Sequence, residues 1–411
     1  MIVPVLLVCS CKCEDAPRIS SFVFEELTPS ATGSIDHSDG TIHINVPEGT
    51  DLSSLSPIVS VESPGCHSLQ PKSNTSQDFR TPVYYTVTNE VGEDKTYSVA
   101  VSQENTNPET MKISWQEASP LPETLGWMPA VEVNNKIYVL GGGLDETRLT
   151  GRIYIYDPVD VTWEASESIL PIPRFAHAAS VLNSKIYVSG GAPAAESAAL
   201  KDIQVYNPVT GSWEASIQMP VERAAHGSCV LEGKLYLVGG ELEEPTGNSV
   251  IGDVSVYDPS SQTWTTKAPL NIPRAYLSVE ALNGKIYAAG GTTGSPYEGE
   301  NVLEEYDPQT NTWTLKSAMP FKRWGMGSCA INGHLIFTAG CPIPMNPGSP
   351  SVQVFSPADN TWLSGTNLLN LRIAPAVCNW QDQIYVFGGA ISPAPWPDNT
   401  NSVEIGSPAW E

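Results

Sequence analysis

Residues 172–213, IPRFAHAASVLNSKIYVSGGAPAAESAALKDIQVYNPVTGSW, contain a complete structural sentence. Arg174 is followed by a small, apolar stretch to Leu182. Asn183-Ser184 then joins this stretch to a short β-branched and aromatic run, Lys185 to Ser189, which Gly190-Gly191 ends. After a loop come a third strand-like run, Ile203 to Tyr206, a turn at Asn207–Gly211, and a fourth run opening on Trp213. Asn-Ser here, and Asn283-Gly284 and Asn332-Gly333 later, suit two-residue hairpins because both central residues tolerate positive φ. The unit is a four-stranded antiparallel meander.

The same unit recurs six times with a period of about fifty residues. Its double glycine falls at 141/142, 190/191, 239/240, 290/291, 339/340 (Ala-Gly) and 388/389, and its tryptophan at Trp163, Trp213, Trp264, Trp313 and Trp362. A repeat of this length with four short strands predicts a radial architecture that closes on itself and leaves no long free edge. An extra tryptophan segment, Trp115-Gln116-Glu117-Ala118-Ser119, precedes the first repeat, while the sixth repeat ends after its third strand. Residues 112–117 are therefore expected to complete blade six, with Trp410 the competing occupant of that slot.

Gly290-Gly291, Tyr306-Asp307-Pro308 and Trp313 carry a resemblance to the kelch repeat, which implies an all-β fold: a six-bladed kelch β-propeller over residues 111–411. Residues 16–104 lack this pattern. They read as strands at Ile19–Phe24, Thr41–Val46, Ile58–Val61, Val83–Thr88 and Lys95–Val101, a small β-sandwich preceding the propeller. Gly40-Thr41-Ile42, Pro47-Glu48-Gly49, Tyr84-Tyr85-Thr86-Val87 and Lys95-Thr96-Tyr97 make this domain similar to the immunoglobulin-like domain of bacterial surface lipoproteins, where it acts as a spacer. Residues 105–110 read as a polar linker.

Residues 1–15 read as a lipoprotein signal and tether. Ile2 to Val8 is apolar, and Val8-Cys9-Ser10-Cys11 is similar to a lipobox, which implies lipidation of Cys11; a basic n-region is missing from the stretch. The expected location is the outer membrane or cell surface of a Gram-negative bacterium, with membrane contact only through that lipid. The net charge of −24 argues against nucleic acid as a partner. Cys229, Cys329 and Cys378 share one repeat position, too far apart for disulfides, and read as small packing residues. No metal-site spacing occurs and no cofactor is expected. A monomer is expected.

Function is expected on the face carrying the long, dissimilar loops between second and third strands: 143–151, 192–202, 241–252, 292–301, 341–351 and 390–401. Five of the nine arginines occupy one repeat position, sixteen residues before the double glycine: Arg174, Arg223, Arg274, Arg323 and Arg372, with Leu125 in blade one. As a ring around the channel mouth they would hold a carboxylate, sulfate or phosphate; as part of the repeat they would bind carbonyls or acids of the blades themselves. Trp127, Phe175, Tyr276 and Trp324 lie beside the arginine position, and Tyr297 and Trp396 lie in the long loops; such rings suit sugar faces. His177 and His226 share a position expected to be buried.

The leading expectation is a surface binding protein that holds a glycan or peptide on this face through the arginine ring, Trp127, Tyr276, Tyr297, Trp324 and Trp396. One alternative is a sugar mutarotase resembling the bacterial kelch-type N-acetylneuraminate epimerase, with Glu298 or Glu300 as acid or base. The other is a protein-interaction scaffold. Catalysis is the less expected outcome.

Overall fold

The double glycine is where local and long-range constraints meet. Gly190 and Gly191 have φ of +55° and +84°, and a Cβ on Gly190 would lie 2.2 Å from the carbonyl oxygen of Arg223 in the next blade. Only glycine accommodates both demands cheaply. The second glycine of each pair donates its N–H to the next blade's residue at the arginine position: Gly142 to Arg174, Gly191 to Arg223, Gly240 to Arg274, Gly291 to Arg323, Gly340 to Arg372 and Gly389 to Leu125, at 2.8–3.0 Å. The motif is thus a bolt between blades.

The computed structural model describes residues 16–27, 30–37, 40–47, 50–62, 67–80, 82–104, 110–145, 147–194, 197–242, 249–343, 348–391 and 398–410. The chain divides into two compact units, Met1–Pro108 and Glu109–Glu411. In the second unit, six meanders form a propeller. Blade two comprises Ala178–Leu182, Lys185–Ser189, Asp202–Asn207 and Ser212–Trp213, and the other blades repeat this order. The hairpin turns between first and second strands take the positive φ that their residues foretell, as at Asn183, Ser184, Asn283 and Gly284. The repeat tryptophans anchor the connections behind them: the indole N–H of Trp163 donates to Ser119 O, that of Trp313 to Ala268 O and that of Trp362 to Ser317 O, each at 2.9 Å.

Blade six is completed by Ile113–Glu117, which pairs antiparallel with Val403–Pro408 in the register Glu404↔Glu117 to Pro408↔Ile113. Trp410 lies outside this ladder and stacks on His334 at 5.2 Å.

A second ring lies inside the first. Residues 127, 176, 225, 276, 325 and 374, two beyond the arginine position, all have φ between 47° and 63°. Each donates its N–H to the carbonyl of its equivalent in the preceding blade, and Trp127 closes the circle onto Ala374 at 3.2 Å. Six blades are thereby joined by backbone alone around the axis.

The N-terminal unit holds a three-stranded sheet (Ala31–Thr32, Ile19–Phe24, Ile58–Val61) and a five-stranded sheet (Ser34–Asp36, Thr41–Pro47, Asp94–Glu104, Val83–Asn89, His67–Gln70). Their shared core contains Phe22, Phe24, Phe79 and Tyr85 in edge-to-face contact, the closest pair at 5.1 Å. The five strands expected from sequence are present. The edge strands 31–32, 34–36 and 67–70 are additional, short and of mixed polarity, which leaves no periodic signal.

Candidate functional site

The five arginines do not form a ring of free guanidinium groups. Arg174, Arg223, Arg274 and Arg372 are 0% exposed and Arg323 is 6% exposed. Each lies in the connection just upstream of its blade's first strand, and its Nη1 donates to the carbonyl of the first residue of its own double-glycine pair: Gly190, Gly239, Gly290, Ala339 and Gly388, at 2.7–3.1 Å. Arg174 also meets Asp202 at 3.1 Å, Arg274 meets Glu304 at 2.9 Å, and Arg372 meets Glu404. Glu304 and Glu404 in turn accept backbone N–H groups from Asn271 and Leu369. Arg223 has carbonyl and hydroxyl partners and Arg323 carbonyl partners, and burial pulls each guanidinium down to about 10. The expectation of an anion-holding ring is corrected: the side chain that recurs in five blades is consumed by the loop of its own blade.

The aromatic expectation fares differently. Trp127 and Trp324 stack at 5.9 Å with 24° between their planes; Tyr276 meets them edge-on at 5.7 and 5.5 Å; Tyr297 meets Tyr276 at 6.2 Å. All four are half-buried. Neither indole N–H of the stacked pair finds an acceptor among the described residues. Phe175, also half-buried, stands apart in a bridge with Ala192. Trp396, like Cys11 and all of residues 1–15, lies outside the described residues.

Sequence reasoning missed Glu241. It is 5% exposed, and its two carboxylate oxygens accept the hydroxyls of Tyr276 (2.9 Å) and Tyr297 (3.3 Å). Burial and this carboxylate push the Tyr276 phenol far up, so it is a donor at any physiological pH. A signal was available. The residue after the double glycine is Gly143, Ala192, Glu241, Thr292, Cys341 and Ala390 in turn, and the residue in the inner ring is Trp127, Ala176, Ala225, Tyr276, Gly325 and Ala374. Glu241, Tyr276 and Trp127 are large or charged where the repeat is small.

Below the ring, the first strands enclose a cavity of about 480 Å³ lined in part by Glu132, Ser180, Cys229, Glu280, Cys329 and Cys378. The three cysteines are free and buried, and burial pushes their thiols up, away from nucleophilic thiolate. His177 donates from Nε2 to Leu140 O at 3.0 Å, His226 pairs with Ser189 Oγ at 2.8 Å, and burial pushes His177 down to about 3. Both are buried neutral rings, as expected. Among the described residues no three His, Cys, Asp or Glu side chains converge as metal donors, and no helix is long and apolar enough to cross a membrane. Glu298 is exposed, and Glu300 accepts from Thr293 at 3.4 Å.

Burial pushes the Glu280 carboxyl up from 4.5 to about 7, against a hydrogen bond donated by Ser328 at 2.7 Å. A folded value above the unfolded one stabilises the fold at low pH, and that contribution is lost as pH rises from 4.5 through 7. Glu280→Gln is therefore expected to raise the melting temperature at pH 8 and to leave it unchanged at pH 5. An equal shift at both pH values would show that Glu280 does not titrate there.

Comparison with known proteins agrees with the fold. The KLHDC2/KLHL20/DRC7 Kelch-repeats domain matches residues 91–272, the Kelch motif matches residues 273–320, and the domain described as SGBP, N-terminal, matches residues 19–101. Among curated proteins, Kelch-like protein 25 of Xenopus tropicalis is 30% identical over 180 residues, covering 42% of this chain and 30% of that protein. Beta-scruin of Limulus polyphemus is 27% identical over 185 residues, covering 43% of this chain and 20% of its own length. The chain thus spans less than a third of either relative. The solved structure of YjhT superposes with a TM-score of 0.60 at 18% identity, covering 70% of this chain and 96% of that one, a likeness of fold alone. The repeats are kelch repeats, and the second unit is a kelch-type propeller.

Proposed function

We propose that this protein is a surface glycan-binding protein whose propeller holds a saccharide on the aromatic platform of Trp127, Tyr276, Tyr297 and Trp324. The observation that carries this reading is the convergence of four rings and one carboxylate, of which Trp127, Tyr276 and Glu241 stand where the other blades have small or uncharged residues. C–H faces of a pyranose stack on such rings. The match of residues 19–101 to the N-terminal domain of surface glycan-binding proteins supports both the ligand class and the location. In this reading Cys11 is lipidated and tethers the chain to the outer membrane, and the N-terminal sandwich is the spacer.

Affinity electrophoresis of the full chain through gels containing polysaccharide tests the platform. Trp324→Ala should weaken the dissociation constant of the retained polysaccharide at least tenfold, the equivalent of about 1.4 kcal/mol, with unchanged thermal unfolding. Retention equal to that of the unsubstituted chain would remove the platform from binding. Cys11→Ala should release the protein from the membrane fraction.

A further inference from the structure

The charge of the ligand can be narrowed, on the premise that the platform binds saccharide. Every arginine expected to face an acidic sugar is enclosed in its own blade, as above. Directly against the platform stands a carboxylate, Glu241, held by Tyr276 and Tyr297. The surrounding loops have the same sign. The six segments between second and third strands contain ten Asp and Glu residues against two cations, Arg148 and Lys201. Both cations are already paired, Arg148 with Asp145 at 2.6 Å and Lys201 with Glu222 at 3.6 Å. Among the blade connections, Lys322 is exposed next to Arg323 and Glu167 is exposed, while Glu123 faces Arg152 at 3.8 Å and Glu222 is the partner of Lys201.

We infer that the platform selects neutral glycans and rejects those bearing carboxylates or sulfates. A uronic or sialic acid placed on the rings would enter a negative field with no free guanidinium among the described residues of the propeller to receive it. The discrimination comes from repulsion and is therefore a specificity device separate from the stacking that supplies affinity. Because the loop carboxylates act partly through solvent, salt weakens the rejection.

The test uses polysaccharide pairs that share a backbone and differ in charge: hydroxyethyl against carboxymethyl cellulose, methyl-esterified against saponified homogalacturonan, and xylan against glucuronoxylan. The full chain is run through each at 20 mM and 500 mM salt. The expected result is retention by the neutral member of at least one pair, at least tenfold weaker retention by its acidic partner at low salt, and a smaller gap at high salt. Glu241→Gln should narrow the low-salt gap. An acidic member retained as strongly as its neutral partner overturns the inference and leaves the platform reading standing. Retention by no member of any pair overturns the platform reading, and the inference with it.

Discussion

Arg274→Met should cost the fold about 3–5 kcal/mol, the range for a buried ion pair deprived of one partner. Arg274 and Glu304 are both 0% exposed and meet at 2.9 Å. Burial already pulls the guanidinium down despite the attraction of Glu304, so little solvent is present to rescue either charge. Removing the arginine strands a carboxylate in the interior and takes a guanidinium donor from Gly290 O, Ala288 O and Val302 O, the last of which keeps the N–H of Gly290. Urea denaturation of the full chain measures the loss. Arg274→Met with Glu304→Gln should recover part of it, because glutamine removes the charge yet keeps an acceptor for the N–H groups of Asn271 and Ile272. Arg274→Met within about 1 kcal/mol of the parent would mean that the guanidinium is not structural, and would return it to the list of ligand contacts. At a temperature where the variant is still folded, glycan retention should be unchanged.

This expectation reverses the one the sequence invites, and the reason is general to ring-shaped repeats. Arg174, Arg223, Arg274, Arg323 and Arg372 stand out because they recur. A side chain that recurs in successive blades meets the same surroundings in each, and a local partner answers it: here the double-glycine carbonyl sixteen residues on. Periodicity therefore made the fold legible. Glycine pairs, Asn turns and Trp anchors predicted four strands per blade and the strand that closes the ring. A single ligand on the axis, by contrast, meets six blades at once and needs them to differ. The platform proposed here draws on Trp127 and Tyr276, where other blades have Ala or Gly, and on Glu241, where they have small or uncharged residues. The aromatic members were noticeable by size. Glu241 was not, because acids are common in a chain with net charge −24 and only alignment of the repeats sets this one apart. Which rings touch depends on loop backbone, as in the positive φ of Tyr297 and Tyr276, and pattern alone does not encode that.

Replacing Ile113–Glu117 by glycine and serine of equal length should cost on the order of 5 kcal/mol or more, from burial of Ile113 and Trp115 and the loss of several net hydrogen bonds. That is comparable with the whole stability of a typical domain. The strand serves two blades. It supplies the outer ladder of blade six, from Glu404↔Glu117 to Pro408↔Ile113. It also clamps blade five: Ile113 N–H and Trp115 Nε1–H donate to Thr366, and Met111 exchanges backbone hydrogen bonds with Ser364 and Thr366. Ile113, 3% exposed, packs among Ile331, Val352 and Leu368 of blade five and Ile384 of blade six. Gly406 shows how closely the strand is seated, since a Cβ there would lie 2.6 Å from the Trp115 ring. Without the strand, Val403–Pro408 becomes an unpaired edge, and the last junction rests on the bolts from Gly389 to Leu125 and from Trp127 to Ala374 together with the hydrogen bonds from Ala118, Leu121 and Leu125 to Val403, Asn401 and Thr400. A synthetic peptide of residues 111–118 should restore stability in trans by adding itself to that edge, with a melting temperature that rises with peptide concentration. An unchanged urea midpoint in the replaced chain would show that the glycine bolts and the inner ring close the propeller by themselves, and that this strand only covers an edge.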